Sequence, residues 1–152
     1  MIYLGADHRG FELKEKLKNY LLELGYPTQD LGAFAYDKAD DYPDFATAVA
    51  KAVALSLSKG DNARGILFCG SGIGVTITAN KVKGIRAGTA INAKQIKDSV
   101  NDEDTNIVAI SVDYISESDA MEIVKIFLES KFSGEERHVR RINKIKAIEQ
   151  NG

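Results

Sequence analysis

The sequence predicts an α/β fold in which five parallel strands form one sheet covered by helices on both faces. Short apolar segments such as IYLGA and GILFC alternate with longer amphipathic segments, and a glycine or polar residue follows most apolar runs. Alternating strands and helices need crossover connections, which make the strands parallel. The 152 residues, 44% of them hydrophobic, suit a single domain spanning 1–152.

The first half of the chain begins with a strand in IYLGA and continues with a helix in FELKEKLKNYLLEL, where apolar residues recur at helical spacing. Gly25 follows the last of these residues and Pro27 discourages continuation, so the helix is expected to end there. A weak second strand is predicted at 28–31. Pro43 suits the first turn of the next helix, in DFATAVAKAVALSL.

The second half repeats this alternation. A strand, a glycine turn and a helix are predicted in RGILFCGSGIGVTITANKV, followed by strands in IRAGTAI and NIVAISV and helices in AKQIKDSV and SESDAMEIVKIFLESKF, with Ser116 and Asp119 as capping residues. The tail SGEERHVRRINKIKAIEQ predicts a C-terminal helix that packs on the body or on a partner subunit. Its apolar stripe consists of Val139, Ile142, Ile145 and Ile148.

Composition excludes several classes of function. A formal net charge of -2 argues against nucleic-acid binding, so any phosphate bound here is expected to be small. No apolar stretch approaches the roughly 20 residues of a membrane span. One cysteine, Cys69, cannot form an internal disulfide, and no secretory signal is recognisable, so the expected location is the cytoplasm. No metal-ligand spacing is found, and we predict neither metal nor cofactor.

Ligands of open parallel sheets bind beyond the carboxyl ends of the strands, which directs attention to the loops after the first and third strands. The second of these loops is GSGIG, residues 70–74, whose exposed N–H groups at a helix start could hold a phosphate or an enediolate. The alternative is a tight turn without a ligand. The dinucleotide and Walker patterns are both unmatched.

Three reactive side chains flank these loops. Cys69 precedes GSGIG, where a helix start can stabilise its thiolate as a base or nucleophile; the alternative is a small buried apolar residue. Asp7 and His8 follow the first strand, where the histidine could contact a phosphate or move protons and the aspartate could orient it or a sugar hydroxyl. A plain surface turn is the alternative for this pair.

A basic cluster marks the C-terminal helix. Arg137 and Arg141 share one face at i and i+4, with His138 next to them, and arginine forks fit phosphate oxygens well. The alternative is a solvated face paired with Glu135 and Glu136.

Read in order, ADHRG, DDYPDF, CGSGIG, ANKVKGIRA, DTN and GEERHVRRI resemble the ribose-5-phosphate isomerase B family, which includes galactose-6-phosphate isomerases. The resemblance covers nearly the whole chain, and the ordered set of motifs is far more specific than any one motif. It implies a Rossmann-like three-layer sandwich and a homodimer, sometimes paired into tetramers, with active sites shared between subunits.

The resemblance also implies roles for single residues. Cys69 would be the base that moves a proton between C1 and C2 of the open-chain sugar through an enediolate, assisted by Ser71. Backbone N–H groups of the loop would stabilise the oxyanion, namely those of Gly70, Gly72, Ile73 and Gly74. The phosphate would be held by His8, Arg137 and Arg141, and the sugar hydroxyls would lie near Asp7 and Tyr42. Arg140 matches no family position.

Two departures from the family pattern stand out. Asp102 and Glu103 occupy the place of a His-Asn pair whose histidine opens the furanose ring, so Asp102 is the candidate catalytic acid at that position. An ionised carboxylate donates protons poorly at neutral pH unless burial raises its pKa. Asp113 stands where many relatives carry an arginine that contacts the phosphate from the neighbouring subunit.

The resulting functional prediction is an aldose–ketose isomerase that interconverts ribose 5-phosphate and ribulose 5-phosphate. One alternative is isomerisation of another sugar phosphate, such as a six-carbon one. Another is a sugar-phosphate binding protein without catalysis, which the acidic residues at 102, 103 and 113 favour and which the retained Cys69 and GSGIG oppose.

Overall fold

The computed structural model describes all residues 1–152 and shows alternating strands and helices. The strands are β1 (Ile2–Ala6), β2 (Thr28–Asp30), β3 (Arg64–Cys69), β4 (Ala87–Thr89) and β5 (Ile107–Ser111). The helices are α1 (Phe11–Glu23), α2 (Tyr42–Ser58), α3 (Ile73–Ala79), α4 (Ala93–Glu103), α5 (Glu117–Glu129) and α6 (Glu136–Asn151). All strand pairs are parallel, in the order β2-β1-β3-β5-β4, so the predicted five-stranded parallel sheet is confirmed.

The sheet is the middle of three layers. In β3 the side chains alternate, so that Ile66 and Phe68 enter one core while Leu67 and Cys69 enter the other. The first core also takes apolar residues from α1, α4 and α5, and the second takes them from α2 and α3. Helices therefore cover both faces, which confirms the Rossmann-like sandwich.

Strand register brings three loops to one edge of the sheet. Ala6 of β1 lies opposite Phe68 of β3, and Cys69 of β3 lies opposite Ser111 of β5. These strands therefore end at nearly the same level, and the chain leaves β1 and β3 toward different helical layers. The crevice at this switch of direction is the expected ligand site of such a sheet.

Local signals at the helix ends agree with the sequence prediction. Gly25 has a φ of +80° just after α1, and the Tyr26 N–H closes the turn on the Leu21 carbonyl at 3.0 Å. Pro43 lies in the first turn of α2. Ser116 caps α5 by accepting a hydrogen bond from the Asp119 N–H.

The apolar stripe on α6 is only partly buried in the single chain. The helix packs against α4, and Ile142 and His138 are its buried residues. Val139 and Ile145 are each more than a third exposed, and Ile148 is 71% exposed. Of the four predicted stripe residues, only Ile142 is therefore buried against the body of the protein.

A buried ion pair joins α1 to the last residue of β2. Lys14 is fully buried, and its ammonium donates to Asp30 Oδ1 at 2.7 Å, to Asp30 Oδ2 at 2.6 Å and to the Ala33 carbonyl at 2.8 Å. Lys18 also donates to Asp30 Oδ2, at 3.1 Å. Burial alone would raise the pKa of Asp30, but hydrogen bonds from both lysines and from the Gly32 N–H hold it below its ordinary value. No helix of the structure combines the length and apolar composition that a bilayer crossing requires.

Candidate active site

Cys69, the last residue of β3, meets the first residue after β1. Its Sγ donates to Asp7 Oδ2 at 3.3 Å, and both residues are almost fully buried. The other carboxylate oxygen, Asp7 Oδ1, accepts the N–H groups of Arg9 and Gly10 at 3.0 Å each. One carboxylate thus fixes the turn into α1 and also orients the thiol.

The electrostatics of Cys69 favour the protonated thiol in the free protein. Burial raises its pKa, and the charge of Asp7 and its hydrogen bond act in the same direction. Hydrogen bonds from the N–H groups of Gly72 and Gly70 act in the opposite direction. The thiol proton therefore has an acceptor in Asp7, while the loop N–H groups are placed to stabilise a thiolate.

The loop after Cys69 depends on glycine at position 72. Gly72 has a φ of +74°, and a Cβ there would lie 2.6 Å from Ser111 Oγ. Ser111 Oγ in turn donates to the Ser71 carbonyl at 2.7 Å, which ties the loop to the end of β5. Ser71 itself is exposed, and its Oγ accepts the Ile73 N–H at 3.2 Å. A hydroxyl group is thus presented to solvent beside the thiol.

Tyr42 forms a wall of the same loop. It is the first residue of α2, and its ring lies so close to Gly74 that a Cβ at Gly74 would be 2.7 Å from Tyr42 Cζ. Tyr42 as a whole remains 40% exposed beside the loop. We call Asp7, His8, Tyr42, Cys69 and residues 70–74 the Cys69 cluster.

His8 has a partner that sequence analysis missed. His8 Nδ1 lies 2.7 Å from Asp40 Oδ1, and the His8 backbone N–H donates to the same oxygen at 3.1 Å. A carboxylate can only accept, so Nδ1 carries the proton and Nε2 is left without a partner in the chain. Asp40 is one of three aspartates in the loop before Pro43, and nothing in the local pattern distinguishes it from the others.

Asp113 lies beside the Cys69 cluster in an ion pair. Its carboxylate accepts a hydrogen bond from the Arg9 guanidinium, and its backbone N–H donates to the Gly70 carbonyl at 3.1 Å. The sequence prediction singled out Asp113 as a departure from the family pattern but did not identify Arg9 as its partner.

The remaining predicted site residues form a second group on α4 and α6, which we call the α6 cluster: Asp102, Arg137, His138 and Arg141. Asp102 Oδ1 lies 3.6 Å from Nε2 of the buried His138, whose Nδ1 is 2.7 Å from Ser133 Oγ. Arg137 and Arg141 are exposed, and Arg137 donates to Glu135 at 2.9 Å. No hydrogen bond or ion pair joins the α6 cluster to the Cys69 cluster within the chain.

The surroundings of Asp102 do not resemble those of a buried acid. Its side chain is 47% exposed and accepts a hydrogen bond from Asn101 at 2.8 Å. Asp102 is therefore open to solvent in the single chain. No three His, Cys, Asp or Glu side chains are grouped as a metal site would require. The absence of a resident metal in solution remains a prediction.

Comparison with known proteins places this arrangement in a family. Residues 2–145 match the family described as Ribose/Galactose Isomerase. Ribose-5-phosphate isomerase B of Escherichia coli is 38% identical over 149 residues, covering 98% of this chain and 96% of the relative.

Solved structures with a similar fold belong to the same kind of enzyme as the relatives found by sequence. The crystal structure of ribose-5-phosphate isomerase B from Mycoplasma genitalium with bound ribulose-5-phosphate is similar at a TM-score of 0.92 and 36% identity, covering 99% of this chain and 97% of that one. The Clostridium thermocellum enzyme of the same name gives a TM-score of 0.90 at 37% identity, with the same coverage. Because family match, sequence identity and fold agree over nearly the full length, this chain belongs to the ribose/galactose isomerase family of sugar-phosphate isomerases.

Proposed function

We propose that this protein interconverts ribose 5-phosphate and ribulose 5-phosphate by proton transfer between C1 and C2 through an enediolate. The observation that carries the proposal is the contact between Cys69 Sγ and Asp7 Oδ2, 3.3 Å apart, at the start of a glycine loop. It supplies a base, an acceptor for the base's own proton and backbone donors in one place. The names of the relatives and the ribulose-5-phosphate bound to the Mycoplasma genitalium protein support the choice of substrate.

In the proposed reaction Cys69 acts as the thiolate. Asp7 accepts the thiol proton, and the thiolate removes the proton from C2 of the open-chain aldose and returns it to C1. The negative charge that develops on the sugar oxygens is stabilised by the N–H groups of residues 70–74, at about 3 kcal/mol for each well-placed donor. The exposed Ser71 hydroxyl assists by moving a proton from O2 to O1.

Substrate binding requires both clusters. His8, oriented by Asp40, presents Nε2 to the phosphate, and a hydrogen bond to the phosphate oxygens requires a second proton on that nitrogen. Asp7 and Tyr42 face the sugar hydroxyls. Because Arg137 and Arg141 make no contact with the Cys69 cluster in their own chain, we propose a homodimer, or a dimer of dimers, in which a second protomer supplies them. The exposed part of the α6 stripe is compatible with such contacts.

Ring opening is the step for which this chain is least equipped. Asp102 stands at the position of the family's ring-opening histidine, yet its side chain is nearly half exposed. We propose that spontaneous opening of the furanose supplies most of the linear form, with Asp102 as the candidate acid when a second protomer covers it. A substrate that is already open, or a six-carbon sugar phosphate, would depend less on this position, and a substrate panel separates these alternatives.

The test is conversion of ribose 5-phosphate to ribulose 5-phosphate by the purified protein, with Cys69→Ala and the nearly isosteric Cys69→Ser as variants. We expect kcat to fall by about 10³-fold in both because the general base is lost. Exchange of the C2 proton with deuterated solvent should disappear in parallel, while the melting temperature stays near that of the parent. Turnover that survives Cys69→Ala would refute the assignment of the base, and binding without turnover in the parent would favour a noncatalytic protein.

A further inference from the structure

Arg9 lies against the glycine loop, and although it belongs to the ADHRG motif, no role was predicted for it from the sequence. A Cβ placed on Gly70 would be 2.7 Å from Arg9 Cζ and Nε and 2.9 Å from Asp113 Oδ2. The guanidinium and its counterion therefore cover the residue that follows Cys69. Any substrate held by this loop must pass close to them.

The backbone on both sides of this ion pair is anchored to the catalytic loops. The Arg9 N–H donates to Asp7 Oδ1 at 3.0 Å, and the second oxygen of that carboxylate accepts the Cys69 thiol. The Asp113 N–H donates to the Gly70 carbonyl at 3.1 Å. Both side chains thus start from fixed points, which limits the entropy lost when Arg9 meets a ligand.

Most of the hydrogen-bonding capacity of Arg9 is unused. Only Nη2 has an acceptor in the chain, on Asp113, so the Nε and Nη1 donors are free. The side chains of Arg9 and Asp113 are 54% and 37% exposed, and ion pairs this exposed contribute little to stability. Arg9 can therefore accept a second anion, or exchange Asp113 for one, at small cost.

The charges around the Cys69 cluster indicate why an anionic ligand would need a contact with Arg9. Asp7 contacts Cys69, Asp113 contacts Gly70, and Asp40 holds His8; Arg9 is the only permanent cation among the hydrogen-bonding partners of these three carboxylates. His8 and Arg9 also line a common cavity of about 470 Å³, together with Glu12, Glu15 and Lys16 of α1. A phosphate dianion that approaches His8 meets strong repulsion unless Arg9 offsets it.

We propose that Arg9 is a substrate-binding residue that contacts the phosphate next to His8, and that Asp113 is a competing counterion which the substrate phosphate displaces. The proposal rests on the proposed function for the identity of the substrate. Arg9 would then be a phosphate-binding cation that lies next to residues 70–74 of its own chain, so its contact with the substrate needs no second protomer. Planar guanidinium donors can hold two phosphate oxygens at once.

The test measures dissociation constants of inorganic phosphate and of ribose 5-phosphate by calorimetry, beside KM and kcat, for the parent and four variants. Arg9→Ala should weaken both ligands about tenfold, the usual effect of losing one charge-assisted contact, with a much smaller change in kcat. Arg9→Lys should recover part of the affinity. Asp113→Asn should tighten binding, because it frees the guanidinium.

Lys94→Ala is the matched control. Lys94 is an exposed cation on α4 whose ammonium donates to Asp98 at 2.6 Å, and it does not line the cavity shared by His8 and Arg9, so its removal should leave phosphate affinity unchanged. The opposite signs expected for Arg9→Ala and Asp113→Asn distinguish binding from a structural ion pair, since loss of a structural pair would weaken binding in both variants. Equal weakening in both, or no change in Arg9→Ala, overturns the inference. A parent without turnover whose phosphate binding still depends on Arg9 refutes the isomerase proposal and upholds the role of Arg9.

Discussion

The Cys69 cluster and the α6 cluster differ in how firmly the chain itself holds them. Cys69 and Asp7 are buried where adjacent strands end, and hydrogen bonds from three loops fix them. Arg137 and Arg141 lie exposed on one face of a helix, with Glu135 as the only ion-pair partner of either. Proton transfer needs groups oriented before the substrate arrives, whereas a long arginine can adjust to a phosphate once bound. The comparison teaches that one chain fixes the residues proposed to move the proton, and leaves the two α6 arginines proposed to bind phosphate on an open surface.

The largest expected effect tests whether the two clusters meet across protomers. Arg141→Ala should raise KM at least tenfold, because a guanidinium group proposed to hold the substrate phosphate is lost. Cys69→Ala should be inactive. When the two variants are unfolded together and refolded, each mixed dimer contains one site with both Cys69 and Arg141, so random pairing restores about a quarter of the parent's activity.

The control for this mixing experiment is each variant refolded alone, which should regain no more than its own activity before unfolding. Arg140→Ala, on the same helix without a predicted role, should leave KM unchanged. Mixed samples with no more activity than the average of the two separate variants would show that the clusters do not share a site.

A second prediction concerns the scaffold beneath the Cys69 cluster. Lys14→Met leaves Asp30 partly buried without its main partner, so the free energy of unfolding should fall by about 3 kcal/mol. Urea denaturation at neutral pH measures it. Because the pKa of Asp30 is lowered in the folded protein, the stabilisation is present above the unfolded pKa of about 3.9 and is lost as pH falls through the lower folded value.

The difference between parent and Lys14→Met should therefore shrink in strong acid. Lys18→Met removes the more exposed of the two lysines and serves as the control, with a loss of less than about 1 kcal/mol. If both variants lost the same free energy of unfolding, the burial of Lys14 would not explain the effect of its removal.

The smallest expected effect tests how Asp7 changes the pKa of the Cys69 thiol. The charge of Asp7 and its hydrogen bond raise the pKa of Cys69, so Asp7→Asn should lower that pKa. The acid limb of the kcat/KM profile should then move to lower pH, even though the absolute rate falls with the loss of the proton acceptor. Asp40→Asn, which alters His8 and not the thiol, should leave the limb in place. A limb that moves to higher pH in Asp7→Asn would contradict the proposed role of the thiolate.

Much of the scaffold was predictable because its signals are local. The alternation of apolar runs with amphipathic segments predicts the order of strands and helices, and Gly25 and Pro43 mark helix boundaries through their own backbone preferences. The sequence also predicted that the loops carrying Asp7 and Cys69 lie at one edge of the sheet, because parallel strands bring their carboxyl ends together. It assigned Asp7 to His8 or to a sugar hydroxyl, however, and the hydrogen bond from the Cys69 thiol to Asp7 was not predicted. The C-terminal helix was predicted correctly as amphipathic. The spacing of its apolar residues, however, does not indicate whether the same chain or a partner subunit covers them.

The sequence by itself determined the five parallel strands, the glycine loop after Cys69 and the family, since each depends on residue type at short spacing. Only the tertiary structure decided that Asp40 orients His8, that Lys14 is buried against Asp30 and that Arg9 meets Asp113 104 positions away. The physical reason is that charge pairing depends on distance in space, and the sequence carries many aspartates that local patterns do not distinguish. Folding selects among them by bringing particular loops to the same edge of the sheet.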